Sequence, residues 1–490
     1  MSADPTEPAE DILDTRAAGP AAIRGGGLRA AGYALGMLLT LVSVPLIVRH
    51  LGVVDFGRFV LVTSLMTLVV GLTEGGLAAV GLREYTLRSA EERKSLMSNL
   101  LGVRLALTGA GVSVATAFAI VAGYDATLVV GTLVVGAGLM AQASYVLLAV
   151  PLQAELRNGW ITIADLLRQT IFVSLSLALV VAGAALMPFF VATIPASLAA
   201  LAVTVVLVRR TIPLRPRLDW GEWWILVRDM LPYAAAIAVN VAYFRIAIVI
   251  MSLVATELET GYFATSFRVL EVLLPLPALL IGAVFPILAR SARDDLERLT
   301  YASQRVLDVA LIAGSGLALG VFTGAPAIID VVAGQSSEPS IEVLRIQAPA
   351  LVATFVAVGC GFSLLSLRRY RALLVPNLVA LAVSVGLTLT LAPELGARGA
   401  AIATTSAECS LAIVVTALLI GTGDRLRLSF ATAGPVALAT ALGVTVVFVP
   451  GLPALAQVVI AVVLYVGVLA LTRTIPRELF EAVALVRPRS

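Results

Sequence analysis

"VNVAYFRIAIVIMSL", residues 239–253, sets one arginine among side chains that otherwise belong in oil. No acidic residue stands within the stretch to neutralise Arg245. Whether a permanent charge can sit there depends on the surroundings of the whole chain, and composition supplies them. Hydrophobic residues make up 59% of the 490, charged residues only 13%, and the mean hydropathy is +1.00. Soluble domains are about half apolar and a quarter charged, so both departures indicate a chain that crosses a membrane many times.

A bilayer core of ~30 Å takes ~20 apolar residues per helix. The expected fold is therefore an all-α polytopic membrane protein of about fourteen spans. Six run roughly 29–49, 57–81, 101–123, 126–152, 161–183 and 185–208. Six more run roughly 232–254, 260–289, 304–332, 342–366, 371–392 and 396–421, with a final pair near 429–449 and 452–473. "GAALMPFF", between the fifth and sixth, carries no charge, so twelve or thirteen spans also fit.

The loops alternate in charge. "LREYTLRSAEERKS", "RRTIPLRPRLDWGEWWILVRD", "RSARDDLERLTYASQR", "LRRYR" and "GDRLRL" are basic, while "YDAT", "ATELET", "AGQSSEPS" and "VPGLP" hold no Arg or Lys. Across all loops about nineteen basic residues fall on one face and about four on the other, which puts both termini in the cytoplasm. The four tryptophans, Trp160, Trp220, Trp223 and Trp224, fall on the basic side as an interfacial belt would. Residues 1–28 read as a disordered cytoplasmic tail, and 474–490 as a cytoplasmic C-terminal tail.

"VDFGRF" opens the second span and "LETGYF" the eighth, with Gly57 and Gly261 at an offset of 204 residues. That match suggests two six-helix lobes, 29–208 and 232–421, related by a pseudo-two-fold axis along the membrane normal. Residues 209–231 would link them as a stiff turn and an interfacial helix, with residues 422–473 adding the last helix pair.

Several chemistries are excluded. There is no phosphate-binding G-x-x-x-x-G-K-[ST] loop, and the single histidine, His50, stands at the end of the first span, a placement that does not read as part of a Ser/His/Asp set. Cys360 and Cys409 lack metal-ligand spacing. The formal charge of +3 gives no sign of nucleic acid. A membrane glycosyltransferase would need a metal or carboxylate displayed on a loop. What remains is non-covalent work inside the membrane: transport, with no cofactor and with H+ or Na+ as candidate coupling ions.

Charges within the spans are the candidate site. Arg245 lies near the midplane, where lipid exposure costs ~2.5–3.5 kcal/mol on insertion scales. Either a polar cavity or a carboxylate from another helix would accommodate it. Arg268 and Glu271 share one face at i, i+3, as do Asp165 and Arg168, and both pairs could simply lock helices. Glu74, in "VVGLTEGGLAAV", could cap a break at Gly75–Gly76 or titrate as a coupling carboxylate. Arg104 and Asp308 suit the interface, and Glu408 lies in the twelfth span. Pro45, Pro151, Pro275, Pro277 and Pro286 kink their spans, and "EVLLPLPALLIGAVFP" reads as a bending element or a static kink.

"VPLIVRHLGVVDFGRFVLVTSLMTLVVGLTEGGL" closely resembles the opening of Wzx-type polysaccharide flippases, with their R-x-L-G-x-x-x-F-G-x-[YF] turn. "AYFRIAIVIMSLVATELETGYFATSFRVLEVLLPLPALLIGAVFPILA" is similar to the family's seventh and eighth helices. The resemblance covers most of the chain and places it in the multidrug/oligosaccharidyl-lipid/polysaccharide exporter superfamily. It implies a bacterial inner-membrane protein that moves an undecaprenyl-pyrophosphate-linked oligosaccharide to the outer leaflet. Alternating access through a cationic central cavity comes with it. By motif, Arg49, Gly52, Phe56 and Gly57 match the turn, while Arg245, Arg268 and Glu271 match Y-F-R and R-x-x-E. With Glu74 and Arg168 these three form the expected substrate-binding set, and Pro275 and Pro277 join the turn residues as conformational elements. Ala247 stands where many relatives carry aspartate, which puts any mechanism needing that carboxylate in doubt. Arginine's planar fork suits a pyrophosphate better than a point charge does. Membrane lipids and polysaccharide polymerase or assembly proteins are the other expected partners. The competing readings are a cation-coupled multidrug exporter, a lipid II-type precursor flippase and a non-transporting membrane scaffold.

Overall fold

The computed structural model describes residues 18–74, 76–217, 219–282, 284–294, 296–421 and 428–474; within them the chain is helical, with no strand. Most of both expected tails, 1–17 and 475–490, lies outside the described residues. Residues 18–28 do not form a tail: the first helix, α1 (Ala18–Glu74), begins there. Extending an existing helix needs no new nucleus, which helps it through Gly25–Gly27.

Among the described residues twelve helices are long and apolar enough to cross a membrane, and one further apolar helix, Ala433–Phe448, is shorter. One of the twelve, Gly27–Leu87, runs 61 residues. Straight, it would measure roughly 90 Å, three times the hydrocarbon thickness. It breaks at Gly52, whose φ of 74° and ψ of 175° are non-helical. Counting its two halves separately and adding the short helix gives the fourteen expected spans. α1 is thus two helices that meet end to end at Gly52. No atom lies within 4 Å of where a Cβ would sit on Gly52, so backbone conformation alone demands glycine. We expect Gly52→Ala to cost ~1–3 kcal/mol, because that region of φ/ψ is essentially glycine's own. A thermal melt of the purified variant in detergent, unchanged from wild type, would refute this.

Contacts divide the chain into two units. The first takes Met1–His50 and Val62–Val241. Besides α1 it holds α2 (Leu77–Leu87), α3 (Ala90–Val121), α4 (Ala126–Leu148) and α5 (Val150–Ala154). It continues with α6 (Asn158–Val181), α7 (Leu186–Val191), α8 (Thr193–Val208) and the start of α9 (Trp220–Val254). Its core gathers Leu96, Met97, Leu100, Leu147, Val150 and Val208, all at most 2% exposed. The uncharged break after α6 is real: Gly183 turns the chain at φ 69°, and the Gly183 and Ala184 amides donate to Val180 and Leu179 carbonyls. That closure satisfies carbonyls the helix end would leave bare. At α3 a capping box joins Ser89 and Glu92. At α4 the Asp125 carboxylate accepts from the Leu128 amide.

The second unit takes Leu51–Leu61 and Ala242–Ser490. It holds the end of α9, then α10 (Glu257–Leu273), α11 (Leu276–Gly282), α12 (Phe285–Asp294), α13 (Leu296–Ala333) and α14 (Pro339–Ser366). α15 (Leu374–Leu395), α16 (Ala397–Ile420), α17 (Ala433–Val444) and α18 (Ala454–Leu471) complete it. α13, α14 and α16 form its centre, where Leu288, Leu299, Ala310 and Leu364 are fully buried. In both units large apolar side chains face outward, Val121, Val181 and Leu471 being more than 85% exposed. Lipid is the solvent such surfaces require.

Two expectations about linkers and bends change in detail. The tryptophan-bearing stretch is not a separate interfacial helix, because α9 runs unbroken for 35 residues into the span that carries Arg245. The Pro275–Pro277 segment does more than kink the eighth span. α10 stops at Leu273 and α11 restarts at Leu276: Leu274 stays helical, but Pro275 and Pro277 both lack the amide donor that would continue the hydrogen-bond ladder. Pro45, by contrast, sits inside α1 with helical geometry.

Candidate functional site

The most central apolar stretch of α9 spans Ile237–Val254, and Arg245 lies eight residues from one end and nine from the other. Its neighbour α10 starts at the Thr256 cap, whose hydroxyl accepts from the Glu259 amide, with Glu257 and Glu259 suiting the helix's positive end. From that start, Arg268 and Glu271 fall on one face. Glu271 is in the last turn, where the helix dipole disfavours a carboxylate. Two cations offset this. Arg245 Nη2 donates to Glu271 Oε1, and Arg268 Nη1 donates to Glu271 Oε2 at 2.6 Å.

Arg245 therefore has its counter-charge on the next helix. Pairing does not silence the cluster, because two guanidinium groups share one carboxylate and leave a net charge of one. The side chains are 16%, 29% and 23% exposed for Arg245, Arg268 and Glu271, so the cluster is half-buried yet reachable. Each guanidinium has five N–H donors, more than one shared carboxylate can accept. An oxyanion reaching this point would meet fixed, charge-assisted donors. Ala247, two residues on from Arg245, is 1% exposed and offers no carboxylate.

Of the other candidates, Glu74, Arg104, Asp165 and Arg168 lie in the first unit. Glu74, the last residue of α1, faces Arg104 of α3 at 3.8 Å. It does not cap α2: Gly76, at φ 91°, stands at that cap without a side-chain bond, and Gly75 is outside the described residues. Arg104 is not in an interfacial setting open to solvent but 3% exposed inside the unit. Asp308, in the second unit, is 6% exposed and accepts from Thr432 and Gln304 at 2.7 and 2.9 Å. Asp165 and Arg168 of α6 both face Tyr145 of α4, whose phenol donates to Asp165 at 3.0 Å and lies beside Arg168.

Gly52, Phe56 and Gly57 of the turn lie in the second unit, while Arg49 falls in the first. Phe56 is 2% exposed, and Gly57 meets Gly261: a Cβ on Gly57 would lie 2.8 Å from the Gly261 Cα. A Cβ on Gly261 would collide with the Val53 carbonyl. Beside this crossing Arg58 forks onto Glu257, with nitrogen–oxygen distances of 2.9 to 3.2 Å. The two short stretches that repeat in the sequence thus touch each other. Glu259, two residues before Gly261, accepts from the Ala397 amide at 2.7 Å and so caps α16. Arg49 also takes part in polar interactions.

Sequence reasoning left Glu408 without a role and missed its partners. Tyr243 of α9 donates to Glu408 Oε1, and Thr354 of α14 lies 3.0 Å from Oε2. Those partners stand 165 and 54 positions away, and a carboxylate in an otherwise apolar span was the one available signal.

Fold and site together define a polytopic membrane protein with an ionic cluster at mid-span. The chain belongs to the polysaccharide biosynthesis protein family, whose model matches residues 46–342. That match contains both the opening turn and the Arg245–Arg268–Glu271 cluster. No curated protein sequence matches the chain. Among solved structures the fold is similar to the lipid II flippase MurJ in an inward closed conformation, with a TM-score of 0.76 and 12% identity over 92% of this chain and 99% of that one. It is similar to an inward-facing multidrug resistance MATE family transporter of the MOP superfamily, with a TM-score of 0.61 and 14% identity over 80% and 95%. It also resembles an outward-facing MATE family transporter of the same superfamily, with a TM-score of 0.54 and 17% identity over 84% and 96%. The chain thus shares its fold with these flippase and transporter structures.

Proposed function

We propose that the protein is a flippase for an undecaprenyl-pyrophosphate-linked oligosaccharide, working by alternating access in a bacterial inner membrane with both termini cytoplasmic. The observation that carries the reading is the net-positive Arg245–Glu271–Arg268 cluster at mid-span, within a chain of the polysaccharide biosynthesis family. A pyrophosphate is the anionic group such a cluster recognises, and Glu271 keeps the attraction modest. Modest attraction matters because a transporter must release what it binds. No step in this reading makes or breaks a covalent bond, so the protein acts as a transporter rather than an enzyme. Glu74 is held by Arg104, and Arg168 lies beside Tyr145, so we assign these two a supporting rather than a leading part.

Depleting the protein and measuring membrane undecaprenyl-linked glycans by mass spectrometry tests the reading. We expect one complete repeat unit to accumulate. Accumulation of lipid II instead would make the protein a cell-wall precursor flippase. An unchanged lipid pool with new sensitivity to cationic drugs would leave a multidrug exporter.

A further inference from the structure

Glu408 of α16 is 6% exposed, and among the described residues no cation pairs with it. The groups around it are Tyr243 and Phe244 from α9, Phe267 and Leu270 from α10, Thr354 and Leu351 from α14, and Ala380 from α15. Its own helix adds Thr404 and Cys409. Arg245 and Arg268, whose chain neighbours Phe244 and Phe267 line the same space, pair with Glu271. An ionised carboxylate buried without a cation is costly, so Glu408 needs a positive partner that the protein does not supply.

Hydrogen-bond bookkeeping shows what that partner is. A threonine hydroxyl has one proton, yet Thr354 Oγ1 lies 2.9 Å from the Ala350 carbonyl and 3.0 Å from Glu408 Oε2. If Thr354 donates to Ala350, the contact with Oε2 requires a proton on Glu408, donated to Thr354. If Glu408 is ionised, the threonine proton turns to the carboxylate instead. Both states fit without moving a heavy atom. One carboxyl and two hydroxyls are few donors for a metal cation, and no trio of His, Cys, Asp or Glu exists among the described residues.

Two spaces in the same unit flank this group. A pocket of about 610 Å³ opens at the loop end of α14 and α16, lined by Thr256, Glu259, Val343, Gly396, Ala397 and Arg398. The loop charges assign that end to the outside. A second space of about 20 Å³, room for one water, touches Ala350, Thr404 and Glu408. Between them on the same face of α14 lies Gln347, fully buried, with neither its amide nitrogen nor its oxygen hydrogen-bonded among the described residues. Val343, Gln347, Ala350 and Thr354 share one helical stripe, spanning roughly 16 Å along the axis. Thr405 donating to the Ile346 carbonyl at 2.9 Å ties α16 alongside it.

We propose that Glu408 is a reversible proton-binding site, loaded from the outer pocket by water relayed at Gln347. Its coupling to cargo movement rests on the transport function proposed above, but proton binding itself does not. Infrared spectra of the full-length protein in nanodiscs, exchanged from H2O to D2O in acidic buffer, test it. Wild type should show a deuterium-sensitive carboxylic acid band that Glu408→Gln lacks, and Tyr243→Phe should shift that band. Gln347→Leu should keep the band but slow its exchange at least tenfold. If a folded Glu408→Gln loses no band, the site is refuted. Should that variant fail to fold, a Tyr243→Phe spectrum with every acid band in place refutes it equally. Equal exchange in Gln347→Leu refutes the route. In vesicles, a proton gradient should speed glycolipid transport by wild type and not by Glu408→Gln. Absence of any glycolipid transport would overturn the cargo reading while leaving the infrared result intact.

Discussion

Replacing Arg245 with alanine should abolish transport while the protein remains inserted and folded. The substitution leaves Glu271 paired with Arg268 alone, so the mid-span cluster drops from a net charge of one to zero. Losing one member of a buried charge pair costs ~2–5 kcal/mol of binding free energy, which puts the expected loss at ~30-fold or more. Transport of a fluorescent lipid-linked oligosaccharide into vesicles reads this directly, and size-exclusion chromatography reads folding. Intact transport would make Arg245 structural and end the cluster's claim to be the site. Glu271→Gln separates the two roles, since it keeps shape and hydrogen bonding but leaves two arginines unneutralised. We expect that variant to bind an anionic cargo more tightly and turn over more slowly. Loss of protein instead of turnover would mark Glu271 as a helix lock.

The second large effect concerns packing. Gly261→Val should leave little folded protein, because its Cβ would meet the Val53 backbone carbonyl rather than a side chain that can rotate away. Overpacking of this kind costs ~1–3 kcal/mol even where neighbours can give, and here a backbone must. Pushing the helices apart would also part Arg58 from Glu257. Gly57→Val should act in the same direction, since the Gly261 Cα is its nearest neighbour. A wild-type melting curve for either variant would show that the crossing is looser than drawn.

Much of this architecture is legible without coordinates. Span positions follow from runs of apolar residues, and even the uncharged join at "GAALMPFF" resolves as two helices, because Gly183 closes the first. What the chain hides is pairing across helices. Arg245 and Glu271 are 26 positions apart, joined only because α9 and α10 run side by side. Tyr243 and Glu408 are 165 apart, and nothing local marks them as partners. Arg104 shows the complementary limit. Hydropathy places it near a span end but cannot tell a membrane surface from a protein interior. The faint repeat proved informative in an unforeseen way: matched glycines suggested related halves, and the structure sets those glycines against each other.

The fork between Arg58 and Glu257 joins residues separated by 199 positions. At ~5–20 residues per second, a ribosome needs ~10–40 s to make the chain between them. For that time Arg58 has Asp55 beside it but not Glu257, and the close-fitting surface at Gly57 has no Gly261 to meet. Assembly of the second unit must therefore reach back to a segment inserted long before, so chains arrested between these two points would hold an early span pair still waiting to be claimed.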